Sequence, residues 1–473
     1  MGGSRDDEVA VVGAGLAGCL LACFLARRGH RVTLYERRAD PRTGTASGRS
    51  RSSERSESGV ARPAKQRGRS INLALSERGL DALRRIGLAE AVLADALPMR
   101  GRMIHPVAGP LDFQPYSADG QRAINSIGRG ALNNTLLSAA TAAGAQVHFD
   151  HRLVGVDPAS GEMTFEVGEA ESRSDRRSET AAGDERKATA AVVLGADGAG
   201  SAVRGQLLAH DLLTERVEFL DHGYKELTVP PAGGDFALDP GALHIWPRGT
   251  LMMIALPNPD RSFTCTLFWP ASSFAALDTP EAIAEHFATH YPDVPPLAPD
   301  LVADYQHNPV GQLGTVYCEP WQAYGRVGLV GDAAHAIVPF YGQGANCAFE
   351  DVVELDRCLD DTGDDWRAAL PRFGQHRREH TDAIAQLALD NFVEMRDRVA
   401  SPVYQLRKKV EHGLERALPG RYVSRYELVS FTTTPYAQVR RRVRRQQWLL
   451  GAVAAGTALL AAGAVAVARR WRR

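Results

Sequence analysis

A chain of 473 residues, 44% hydrophobic and 23% charged, has a globular composition and the length for two or three cores. Its formal net charge of −1 excludes the basic footprint of a nucleic-acid-binding protein. Six cysteines (Cys19, Cys23, Cys265, Cys318, Cys347, Cys358) form no C-x-x-C pair and no His/Cys cluster, so they read as reduced thiols packed as small hydrophobes in a reducing compartment, not as metal ligands.

The apolar residues begin at Val9 and run straight into a glycine motif, which gives no signal peptide. VAVVGAG predicts a buried strand and a turn, LAGCLLACFLARRG a helix ending at Gly29, and HRVTLYE the next strand. Gly13, Gly15 and Gly18 occupy that turn at G-x-G-x-x-G spacing, in the strand–turn–helix context a dinucleotide fingerprint requires. The first glycine permits the tight turn, the second lets a pyrophosphate approach the backbone, and the third allows close helix–strand packing. Glu36 ends the following strand, where a carboxylate can accept both ribose hydroxyls. These residues alone leave NAD and FAD open.

Residues 43–67, rich in Ser, Arg and Gly, predict a disordered insertion. The next stretch, GRSINLALSERGLDAL (Gly68 to Leu83), returns to order with polar groups crowded beside small apolar ones. It reads either as an ordinary strand–turn–helix or as backbone shaped to lie along a ligand. Glu169 to Arg186 repeats the polar character and predicts a lengthened hairpin loop. LHIWP, LMMIALP and SFTCTLFWP, separated by RGT and NPDR, predict a β-meander in a second domain. RVGLVGDAAH predicts a buried strand ending in a loop, and Trp366 to Tyr426 is helical and amphipathic. Trp448 to Ala468 is 21 residues without a charge, flanked by arginines on both sides, and predicts a transmembrane anchor rather than a buried Ala-rich helix.

The fold expected is α/β. A Rossmann-type dinucleotide-binding domain would span 1–205 with a return segment at 311–370. A mainly β substrate domain would span 206–310, a helical region 371–446 and the membrane anchor 448–468.

Two later segments decide the cofactor. GADGAGSAVR (Gly195 to Arg204) resembles the Asp-Gly motif of the flavoprotein aromatic hydroxylases, and VGLVGDAAHAIVPFYGQGAN (Val327 to Asn346) resembles their second flavin motif. The resemblance implies that Asp332 bonds the ribityl chain, while Gly344, Ala345 and Asn346 open a helix aimed at the flavin, whose anionic reduced form a helix N-terminus stabilises. No second Gly-rich βαβ unit is present, so NADPH would visit the FAD without a Rossmann domain of its own.

PMRGRMIH, HGYKELTVPP and the meander, with the segments already quoted, narrow the resemblance to the kynurenine 3-monooxygenase family over residues 9–430. In that family the segment Arg69 to Ala74 lies against the flavin, so its polar groups would serve a ligand. The other implied flavin contacts are Ala17, Tyr35, Arg37, Arg38, Ala74, Arg129, Leu153, Asp197 and Ala202. The implied substrate is L-kynurenine, with Arg102 and Tyr116 at its carboxylate, Asn391 and Tyr426 closing the site, and Phe340 and Pro339 along the ring slot. Tyr422 rivals Tyr426. The implied reaction uses NADPH and O2 through a flavin C4a-hydroperoxide; the alternative is hydroxylation of another aromatic acid. No residue is assigned as a catalytic base: His335 and His105 read as structural. The catalytic body is expected in the cytoplasm, held to a membrane by the C-terminal helix.

Overall fold

The computed structural model describes residues 8–43, 72–117, 119–168, 184–398, 410–411, 413–418, 420–449 and 451–452. The disordered insertion and the lengthened hairpin loop fall almost wholly outside these residues, as does the predicted anchor apart from 448–449 and 451–452.

The strand Glu8–Val12, buried at all but its first residue, enters the glycine turn and continues as the helix Leu16–Arg27 and the strand Arg31–Tyr35. An unbroken apolar run such as VAVV suits a strand covered on both faces, which is what a parallel sheet provides. Glu8–Val12 pairs in parallel with Arg31–Tyr35 on one side and Val192–Gly195 on the other. Gln146–His148 and Val327–Leu329 extend this layer in parallel, and the short Gln322–Ala323 closes one edge antiparallel, giving six strands. The motif strands at 8–12, 192–195 and 327–329 are therefore direct neighbours, and the loops that follow them open at one end of the sheet.

A second, seven-stranded sheet runs in the order Gly311–Glu319, Thr214–Val229, Phe263–Pro270, Leu251–Pro257, Ala242–Arg248, Gly101–Ile104, Asp112–Pro115. The three central segments are the predicted meander, paired antiparallel throughout. Gly101–Ile104 reaches this sheet from far upstream, pairing in parallel with Ala242–Arg248 so that Arg102 lies opposite Leu243. Asn72–Leu75 and Leu97–Met99 flank Ile124–Gly128 in a small sheet beside the two layers.

Helices follow from Gly344–Thr362 onward, and the C-terminal region is helical as expected, with Trp366–Val393 and Arg425–Ser430. Residues 436–449 are also helical, and Trp448 in them is exposed. Among the described residues no helix is long and apolar enough to cross a membrane. All six cysteines are free and buried, matching their reading as small hydrophobes.

Candidate functional site

The glycines of the first turn differ in what a side chain would meet. Gly13 sits at φ +101°, and a Cβ there would lie 2.6 Å from the Ala196 carbonyl oxygen. At Gly18 it would lie 1.9 Å from the Gly13 oxygen. At Gly15 it would meet nothing within 4 Å. Backbone packing thus excludes a side chain at the first and third positions, while the second leaves open space at the N-terminus of the Leu16–Arg27 helix, where unpaired N–H groups favour an anion.

Glu36 is 5% exposed; its Oε2 accepts from the Ala14 N–H at 2.9 Å and its Oε1 from the Arg38 N–H and Nε at 3.0 and 2.8 Å. Burial pushes this carboxyl up, but Arg38 and the two backbone donors outweigh it and hold the group below the usual range. Arg37 and Arg38 are exposed. Tyr35, stacked on Phe165 at 4.3 Å, and Leu153, paired opposite Phe165, are core residues that leave mainly their backbone to a ligand. Ala17 is half-buried behind the turn, its Cβ near the position a Cβ on Gly331 would take.

The Asp-Gly loop comes next. Asp197 Oδ1 accepts from the Ser201 hydroxyl at 2.5 Å and Oδ2 from the Ala202 N–H at 2.6 Å, so the carboxylate caps the helix Ala202–Ala209. Burial pushes Asp197 up against the pull of these donors. Two turns of that helix carry Arg204, which is 6% exposed and donates to Ala333 O at 2.8 Å, Ala199 O at 2.6 Å and Glu215 at 3.0 Å. One guanidinium therefore pins the 195–201 loop to the 331–335 loop. Sequence reading quoted Arg204 within the motif and gave it no role; a charged residue inside the apolar pattern AVRGQLL was the available signal.

Asp332 follows Gly331, whose φ is +66°. Its carboxyl is pushed up by burial, with His335 and Arg129 pulling it back, and among the described residues it accepts no hydrogen bond. Arg129, exposed at the start of the helix Arg129–Ala142, thus lies within electrostatic reach of Asp332. Asn346, 1% exposed in the first turn of the Gly344–Thr362 helix, accepts from the Ser76 N–H at 2.9 Å and donates to Ala74 O and Gly342 O, both at 2.8 Å. This stitches Ala74 onto the start of the helix that carries Gly344 and Ala345.

The polar crowding in INLALSERG now has a physical account. Asn72 Nδ2 donates to Pro257 O at 2.7 Å, Ser76 meets Asn346 and Gln343, and Arg78 pairs with Glu350. The described polar groups of this stretch are engaged by protein, as buried polar groups must be, rather than left for a ligand. Arg69 lies outside the described residues.

Arg102 and Tyr116, from the two arms of one hairpin, converge with Tyr426 from the distant helical region. The Arg102 guanidinium lies 4.6 Å from the Tyr426 ring centroid, and the Tyr116 and Tyr426 rings stack at 4.9 Å. Arg102 and Tyr116 are each 6% exposed. Burial pushes the hydroxyls of both tyrosines up, so both stay protonated and available as donors. Tyr422 is elsewhere: it lines a surface cleft of about 560 Å³ with Arg122, Glu415 and Glu427. Tyr341, which stacks on Tyr426 at 5.7 Å, and Phe431 complete an aromatic wall that sequence reading did not name. Asn391 is 2% exposed and donates to Phe340 O at 2.7 Å, one residue from Tyr341. Phe340 stacks on Phe392 at 3.9 Å, whereas Pro339 is exposed.

Neither histidine set aside as a base stands free. His335 Nε2 meets Asp351 at 2.5 Å, and His105 bridges Asp293 at 2.6 Å and His244 at 2.8 Å beneath the Trp246 ring.

Comparison with known proteins agrees with this geometry. A family profile described as FAD binding domain matches residues 60–388, and one described as NAD(P)-binding Rossmann-like domain matches residues 11–63. The chain is 47% identical over 441 residues to kynurenine 3-monooxygenase of Myxococcus xanthus (strain DK1622), covering 92% of this chain and 88% of that protein. It is 45% identical over 453 residues to kynurenine 3-monooxygenase of Stenotrophomonas maltophilia (strain K279a), covering 95% and 92%. Among solved structures, 2-methyl-3-hydroxypyridine-5-carboxylic acid oxygenase superposes with a TM-score of 0.64 at 20% identity, over 86% of this chain and 96% of that one, which is a likeness of fold. Two glycine-lined loops, an acidic turn and long identity across both sheets lead to one conclusion: the chain belongs to the kynurenine 3-monooxygenase family.

Proposed function

We propose that this protein is an FAD-dependent monooxygenase that converts L-kynurenine to 3-hydroxykynurenine with NADPH and O2. The observation that carries the reading is the Arg102–Tyr116–Tyr426 cluster, a cation and two donors, walled by aromatic rings and joined through Tyr341 to the flavin-motif loop.

The residues at the loops fit FAD. Gly15 leaves room for a pyrophosphate where Gly13 and Gly18 leave none for a side chain, and Asp332 presents a half-buried carboxyl with no hydrogen-bond donor among the described residues. Glu36 would take the adenosine ribose, exchanging part of its Arg38 contact for the sugar hydroxyls, and Asp332 would take the ribityl chain. Gly344, Ala345 and Asn346 would present N–H groups to the flavin ring. Bound FAD, once reduced by NADPH, supplies activation of dioxygen and delivery of one oxygen atom to the aromatic ring.

The remaining tasks fall to the protein. Arg102 and Tyr116 bind the substrate carboxylate by charge-assisted and neutral hydrogen bonds. Tyr426 and Asn391 close the site from the helical region, and the Phe340–Tyr341 turn supplies an apolar slot that keeps water out. The substrate's own amino group donates electron density to the ring, so no strong base is needed, in keeping with the engaged states of His105 and His335. The uncharged stretch 448–468 supports tethering of this catalytic body to a membrane.

The test is a visible spectrum of the purified protein, followed by NADPH and oxygen consumption with and without L-kynurenine. A yellow protein whose NADPH oxidation rises with L-kynurenine and yields the 3-hydroxy product is expected. A yellow protein indifferent to L-kynurenine would overturn the substrate, and a colourless folded one the cofactor.

A further inference from the structure

Arg78 touches neither the glycine loops nor the Arg102 cluster, yet it is one of four buried arginines among the described residues. It is 1% exposed and lies in the first turn of the helix Glu77–Arg85, where the helix dipole disfavours a cation. A buried guanidinium persists only when its donors are matched. Here Nη1 pairs with Glu350, Nη2 donates to Thr434 O, Nε donates to Val429 O at 3.3 Å, and the Tyr436 ring lies 3.8 Å from the guanidinium carbon.

Those partners belong to two separate elements. Glu350 stands on the Gly344–Thr362 helix, whose first turn faces the flavin-motif loop. Val429, Thr434 and Tyr436 belong to the segment that begins with Tyr426. A second contact runs beside the first: the Tyr436 hydroxyl donates to Gln343 Oε1 at 2.9 Å, at the N-cap of that same helix. On the far side, Glu350 also accepts from Arg377 at 2.7 Å, and Arg377 meets Asp351 at 2.7 Å. Asp351 in turn accepts from the Gly331 N–H at 3.0 Å, the residue before Asp332. Two arginines and two carboxylates, with His335 also on Asp351, thus form a row of alternating charge from the segment bearing Tyr426 to the loop bearing Asp332.

We infer that Arg78 is a positioning residue for the hydroxylation reaction: by clamping two carbonyls of residues 429–434 to the Gly344–Thr362 helix, it fixes Tyr426 over Arg102 and Tyr116 and sets the substrate wall against the flavin loop. The inference rests on the reading given under Proposed function. It assigns Arg78 to the fit of substrate and to the fate of activated oxygen, not to FAD retention: a wall displaced by an ångström leaves the substrate ring misplaced and water admitted, so reducing equivalents leave as hydrogen peroxide.

The test is Arg78→Lys in the FAD-loaded enzyme. Lysine keeps the charge but presents its donors from a single point and cannot reach a carboxylate and two divergent carbonyls together. Expected are an unchanged flavin spectrum, a KM for L-kynurenine raised on the order of tenfold or more, and a larger share of NADPH oxidised to hydrogen peroxide, with substrate-free NADPH oxidation within about twofold of the parent. A purely structural arginine would lower FAD content and leave KM and the peroxide share of loaded molecules unmoved; that result overturns the inference. Should Arg78→Lys fail to fold, hydrogen exchange on the unmodified holoenzyme decides. Backbone amides of 425–436 and 77–80 should slow together when L-kynurenine is added, and protection confined to 425–436 would overturn the inference. If L-kynurenine does not stimulate the unmodified enzyme, the substrate reading fails first and separately.

Discussion

Replacing Arg102 by alanine isolates the substrate cation. The side chain is 6% exposed on a strand of the seven-stranded sheet, remote in sequence from the glycine turn, so its removal should leave FAD bound. Two interactions go with it. A buried charge-assisted hydrogen bond to a carboxylate is worth about 1.5–3 kcal/mol. The cation–π contact that steadies Tyr426, at 4.6 Å, adds about 0.5–1 kcal/mol. The sum is about 2–4 kcal/mol, which at about 1.4 kcal/mol per decade raises the KM for L-kynurenine between about thirtyfold and about seven hundredfold. The assay is L-kynurenine-dependent NADPH oxidation at saturating NADPH, with flavin content read from the visible spectrum of the same sample. A KM within threefold of the parent at full flavin content would refute the clamp, and a colourless protein would refute the separation of substrate wall from cofactor loops.

The glycine turn offers a paired test: Gly18→Ala places a Cβ against backbone and should cost both folding yield and flavin, whereas Gly15→Ala meets no protein atom and should keep the melting temperature of the apoprotein while weakening FAD binding about tenfold or more. Thermal melts and FAD titration separate the two. His244, buried and hydrogen-bonded to His105 and Asp239 O, is pushed down to about 4 by burial, from 6.5. Below 6.5 the unfolded chain takes up a proton that the folded one refuses, so stability is complete above 6.5 and falls as pH drops toward 4, by as much as about 3 kcal/mol. His244→Gln should make that acid slope shallower in denaturant titrations at pH 7 and pH 4.5, and an unchanged slope would count against it. Deleting residues 447–473 should move the protein from the membrane fraction to the supernatant with FAD retained; a truncated chain that still pellets with membranes would place the tether elsewhere.

What could be read in the residues was what depends on local geometry. The three glycines announce a turn because their spacing reflects backbone contacts within a few residues, and the meander shows in alternation broken by NPDR. Arg102, Tyr116 and Tyr426 could be named only by resemblance, since nothing in the 101–115 hairpin signals that the helix of Tyr426 meets it. The partners of Arg78 and Arg204 were not legible: a guanidinium's value lies in carbonyls and carboxylates up to 356 residues away, and carbonyls carry no letter in the sequence. The pairing of Gly101–Ile104 with Ala242–Arg248 was missed for a similar reason, because GRMI is too short to declare a partner. Of the polar groups in Arg69 to Ala74 that the resemblance sets against a ligand, Asn72 alone is described, and its amide bonds Ser126 and Pro257 O, partners that nothing adjacent in sequence announces.

That borrowed strand also constrains how this enzyme can be rebuilt. A fragment cut at 206–310 would leave Ala242–Arg248 as a raw edge, with unpaired N–H and C=O groups and the apolar run ALHIW offered to any passing chain. Chimeras that exchange substrate preference between relatives must therefore transplant 101–115 together with the meander, or expect aggregates in place of a new specificity.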